Sequence, residues 1–69
     1  MNVNELIDYL LSDGYKEIKE NVYKRDFVDG SIEVKKNENE TFTIRNEQNG
    51  KVEYKVLDVK DAQNYLEHL

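Results

Sequence analysis

Cysteine, proline and tryptophan are all missing from this sequence, and each absence excludes something. Without cysteine there is no disulfide framework and no thiolate metal site, so the usual staples of a small secreted scaffold are gone and a reducing, cytoplasmic setting is expected. Without proline or any linker-like stretch, the 69 residues are expected to form one indivisible domain, 1–69. No apolar run approaches the ~20 residues needed to span a bilayer, and Met1-Asn2-Val3-Asn4-Glu5 has neither the basic start nor the apolar core of a signal peptide. The single histidine, His68, lies next to the C-terminal residue, where fixed catalytic geometry is hard to hold. The three glycines stand singly at Gly14, Gly30 and Gly50 and form no phosphate-cradling loop. Oxygen ligands crowd together at Asn37-Glu38-Asn39-Glu40, but that run lacks the glycine and the distal glutamate of a calcium loop and reads better as a polar hairpin turn. With no acid, base and nucleophile constellation, the chain is expected to be no enzyme and to hold no metal or cofactor.

What is present is periodic. Charged residues make up 36% and apolar ones 38%, near globular values, so patterning decides in favour of a folded chain. A domain this small buries only about 60% of its unfolded surface and depends on one compact core. Val3, Leu6, Ile7, Leu10 and Leu11 recur at helical spacing and predict a helix from about Val3 to Asp13. Asn2 and Glu5 stand where a capping box puts them, and Gly14 supplies the stop. Near the other end, Asp58 is the predicted N-cap of a second helix, with Asp61 in its first turn and Val59, Ala62, Leu66 and Leu69 as its apolar stripe.

Between the helices, turn signals at Asp29-Gly30, Asn37 to Glu40 and Asn49-Gly50 recur about every ten residues, as in a meander of hairpins. Ile32 and Val34, Phe42 and Ile44, and Val52, Tyr54 and Val56 each alternate with polar residues, which predicts inward-facing sets on three strands. Ser31, Glu33, Lys35, Thr41, Thr43, Arg45, Lys51, Glu53 and Lys55 then face out. The segment from Tyr15 to Val28 is ambiguous: Tyr15 and Ile18 read as buried, but Tyr23, Arg25 and Phe27 are out of phase with Val22 and Val28 unless the chain bulges or bends near Glu20-Asn21. The expected fold is α+β: a three- to four-stranded antiparallel meander with an N-terminal and a C-terminal helix packed on one face, in the order αββββα.

Charge is distributed unevenly. Residues 16–57 carry nine acids and nine bases, so the whole net charge of −5 belongs to the two helical ends. Glu5, Asp8 and Asp13 in the first, and Asp58, Asp61 and Glu67 in the second, are candidate partner-binding residues. If both helices cover one sheet face, these carboxylates form a shared acidic surface. Their plain role is to keep a small domain soluble; their specific role is to dock on a basic protein surface, since such a face repels nucleic acid directly but attracts what binds it. Of the five tyrosines, Tyr54 and Tyr15 are assigned to packing, and Tyr9, Tyr23 and Tyr65 to a contact surface. An RNA platform on the open sheet face is disfavoured because Phe42 and Tyr54 take the inward phase.

The opening Asn2-Val3-Asn4-Glu5-Leu6-Ile7, followed by Gly14-Tyr15 and then hairpins, resembles small acidic anti-CRISPR proteins of phages of Gram-positive bacteria, notably an inhibitor of an RNA-guided DNA nuclease. The resemblance spans about a fifth of the chain. It implies a non-catalytic inhibitor, working in the cytoplasm of a bacterial host cell, whose carboxylates occupy the basic site where a nuclease reads its target. The chain departs from the pattern in its C-terminal part, where that inhibitor carries a dense acidic run, so no binding residue is carried over from there. The expected partner is a protein with a basic surface, with no direct nucleic-acid or membrane binding, and the chain is expected to be a monomer or weak homodimer. The alternative is a housekeeping or regulatory domain that self-associates through a sheet edge or the tyrosine-bearing flank.

Overall fold

The computed structural model describes residues 2–69; Met1 lies outside them. Helix α1 spans Val3–Ser12 and opens with the capping box: the Asn2 side chain accepts the Glu5 N–H at 2.9 Å, and the Glu5 carboxylate accepts the Asn2 N–H at 3.3 Å. Asp13 is its C-cap rather than its last turn. Gly14 then takes a positive φ of 95°, and the Tyr15 N–H donates back to the Leu10 carbonyl at 3.0 Å, closing the helix and turning Tyr15 into the core.

Five strands follow, β1 Lys16–Lys19, β2 Val22–Phe27, β3 Gly30–Lys36, β4 Thr41–Gln48 and β5 Lys51–Asp58, before helix α2, Val59–Glu67. They form one antiparallel sheet in sequence order. The class is α+β as expected, with five strands where three or four were predicted. The extra strand comes from the ambiguous segment. A tight turn at Glu20-Asn21, with Asn21 at φ 64°, separates β1 from β2, and a bulge between Glu17 and Lys19 breaks their register. Tyr23, Arg25 and Phe27 take the helix-facing phase of β2, whereas Val22 opens the same strand on the opposite face and Val28 lies exposed in the turn that follows.

Tyr23 pairs with Val34 and Val34 with Ile44, so with Ile32 and Phe42 they share one face of the sheet. On that face lie Leu6 and Leu10 of α1, Ala62 and Leu66 of α2, and Tyr15, all in one buried cluster. Leu6, Leu10, Val34 and Phe42 have no measurable exposure, and each contributes about 2–3 kcal/mol of burial. Both helices therefore cover the same sheet face, and they touch each other.

Several expectations are corrected. Tyr23 is buried, not part of a contact surface, and Ile18, Leu11 and Leu69 are exposed. The second hairpin turns at Val28-Asp29, and Gly30 opens β3, where a β-carbon would overlap the Glu47 carbonyl of the neighbouring strand. The largest correction concerns β5. Val52, Tyr54 and Val56 were expected inward, yet they are 45%, 64% and 64% exposed, and Lys51, Glu53, Lys55 and Leu57 take the helix-facing positions.

The cause is turn geometry. Asn49 and Gly50 both have positive φ, 52° and 82°, as a two-residue type I′ turn requires. Such a turn sets Gln48 directly opposite Lys51. Gln48 is in phase with Phe42 and Ile44, so Lys51 must be too, and Val52 falls on the other face.

Candidate functional site

The two helices bring the predicted carboxylates onto one side of the molecule, all of them exposed. Their local duties differ. Glu5 and Asp58 serve as capping groups, the Asp58 carboxylate accepting the Asp61 N–H at 2.8 Å. Asp13 is held by Arg25, whose guanidinium donates to it at 3.0 Å, and Glu67 accepts from the Gln63 amide at 3.1 Å. Asp8 and Asp61 make no side-chain ion pair among the described residues. Among the described residues, Asp13 is the one of these six acids that is paired with a base.

The predicted tyrosines are half-buried rather than free. Tyr9 packs its ring against the core cluster. Burial raises its pKa, and the nearby Asp13 and Glu67 charges add to the shift while Arg25 opposes them. Tyr65 also packs on the cluster, and its hydroxyl accepts from the Asn46 amide at 3.0 Å and lies 3.4 Å from the Glu53 carboxylate. The Lys55 ammonium sits 5.7 Å from its ring centre.

Three of the eight predicted residues, Tyr9, Asp13 and Glu67, converge on one cavity of about 490 Å³ bordered by the C-terminal ends of both helices. Arg25 and Asn46, not singled out in the sequence, line it too. Asp29 adds negative charge at its rim. Neither helix has a basic residue in its last turn, so no cation from within either helix offsets the negative end of its dipole. With Arg25 already bound to Asp13 and stacked 4.8 Å over Phe27, this end of the molecule favours cationic groups. Tyr15, also at the cavity wall, has its pKa pushed up to about 12, chiefly by burial and next by Asp13.

Glu5, Asp8, Asp58 and Asp61 do not line the cavity and belong to the surrounding helical surface. His68 is exposed, with Nδ1 2.7 Å from the Asn64 carbonyl. In the Asn37 to Glu40 turn, the Asn37 amide donates to Thr43 at 2.9 Å and its backbone N–H to Thr41 at 2.8 Å, so the hairpin itself uses these groups. Among the described residues, no group of three or more histidine, aspartate or glutamate side chains could hold a metal ion, and no helix is long and apolar enough to cross a membrane.

The surface that sequence reasoning missed is the other one: Val52, Tyr54 and Val56 on the open face of β5. The signal for it was present in Asn49-Gly50. The fold and its charge pattern define a small α+β domain with one acidic helical layer. No protein-family model, curated protein or solved structure matches the chain.

Proposed function

We propose that the protein is a non-catalytic binding module whose acidic helical layer docks on a basic, nucleic-acid-binding site of a partner protein. The observation that carries this reading is the placement of α1 and α2 side by side on one sheet face, with their excess carboxylates exposed and, among the described residues, all but Asp13 without an ion pair to a base. The acid-rimmed cavity between the helix ends extends the same negative potential and would receive a lysine or arginine side chain of the partner. The resemblance of residues 2–15 to anti-CRISPR inhibitors gives the partner a concrete class, an RNA-guided DNA nuclease of a bacterial host, with the carboxylates standing in for target-strand phosphates.

The test is the rate of association with such a purified nuclease at low and high salt. The rate falls as salt rises. Asp8→Lys, Asp61→Lys and Glu67→Lys together, none of them in the core, slow it by about tenfold or more at low salt while the far-UV circular dichroism stays the same. Equal rates for the wild type and the triple variant would overturn the reading.

A further inference from the structure

β5 is the long edge strand of the sheet, and it carries charges at Lys51, Glu53 and Lys55. Strand β1, at the other side of the sheet, has four residues and a bulge, which discourages pairing with a second chain. β5 has eight residues in unbroken register with β4. Residues 51–56 are all exposed, and Val52, Tyr54 and Val56 form an apolar stripe on the sheet face that no helix covers.

The free backbone groups fall on the same residues. In a hairpin closed by a two-residue turn, the pair flanking the turn is hydrogen-bonded, and such pairs then alternate along the ladder. Lys51, Glu53, Lys55 and Leu57 therefore spend their N–H and C=O groups on β4, whereas Val52, Tyr54 and Val56 direct theirs to the open side.

The strand also complements itself. If two copies meet antiparallel about an axis through Tyr54, Tyr54 faces its twin, Val52 faces Val56 and Glu53 faces Lys55, each residue on one strand opposite its counterpart on the other. Every free backbone group of the apolar triplet gains a partner, and each charge meets its opposite. Neighbouring registers fail: centring on Lys55 or on Glu53 sets like charges directly opposite each other. The Glu53 carboxylate and Lys55 ammonium already lie 3.9 Å apart within one chain, so the pairing would build a four-membered ring of alternating charges.

We infer that the partner for this edge is a second copy of the same chain, joined β5 to β5 in the register centred on Tyr54, giving a continuous ten-stranded sheet. The two-fold axis then runs perpendicular to the sheet. Both helical layers lie on one side of the dimer, and the two apolar stripes merge on the other. This dimer does not depend on the acidic face having a partner and is measured without one.

Sedimentation equilibrium at the concentrations of an NMR sample tests the inference. The wild type sediments as a dimer. Glu53→Lys and Lys55→Glu each set like charges across the axis and weaken dimerisation by about tenfold or more, but an equimolar mixture of the two variants dimerises again, because every lysine then meets a glutamate. Should Glu53→Lys disturb folding by losing its contact with Tyr65, Tyr54→Lys places two ammonium groups on the axis at an exposed position and yields a folded monomer. A monomeric wild type, or single variants that dimerise as well as the wild type, would overturn the inference.

Discussion

At the scale of single residues, the molecule uses polar side chains as fittings for the backbone and leaves few to spare. Asn2, Glu5 and Asp58 cap helices, Asn37 ties its own hairpin, and these roles were legible in the sequence because capping and turn chemistry are local. Gly30 was legible as a glycine that matters but not for the right reason, since the need arises from the approach of the Glu47 carbonyl on another strand. Tyr15 makes a measurable residue-scale prediction. Its phenol is buried, and its pKa of about 12 in the folded state exceeds the ordinary 10.0. The neutral phenol is thus favoured by folding: the contribution is complete below pH 10 and is lost as the pH rises through about 12, at a cost on the order of 2 kcal/mol. Urea unfolding followed across that range shows the wild type weakening steeply, whereas Tyr15→Phe, which cannot ionise there, weakens less; equal slopes would contradict the assignment.

At the scale of elements, both helices and the class of the fold could be read because each carries its own period and its own caps. β5 could not be read from its hydrophobic alternation. Val52, Tyr54 and Val56 alternate as cleanly as a buried set, but the Asn49-Gly50 turn decides which set faces the helices, and it selects Lys51, Glu53, Lys55 and Leu57. The aromatic premise used against an RNA platform changes with this register: Phe42 is buried, but Tyr54 is out, flanked by valines. The register has a direct thermodynamic consequence. Measured at high dilution, Tyr54→Thr shifts the free energy of unfolding by less than about 0.5 kcal/mol, as at other exposed positions. Leu57→Ala, which opens the cluster beneath α2, costs about 1–2 kcal/mol. A loss of 3 kcal/mol or more for Tyr54→Thr, of the size seen for buried aromatics, would restore the inward phase.

At the scale of the whole molecule, the chain separates its surfaces. One side of the sheet is covered by helices that hold all of the excess negative charge; the other is open, electrically mixed, and apolar only along β5. The charge asymmetry was visible in the sequence because it follows segments. The convergence of Tyr9, Asp13 and Glu67 at one cavity was not, since it depends on how the two helix ends meet. The central claim, that the helical side is the docking face, is tested most directly by recording amide resonances of the labelled protein while adding the purified RNA-guided nuclease. The account predicts that signals of α1 and α2, Asp8, Asp61 and Glu67 among them, shift or broaden first, while Lys24, Glu33 and Lys35 on the open sheet face keep theirs at equal nuclease. Changes confined to the open face and β5, with the helical signals untouched, would contradict it.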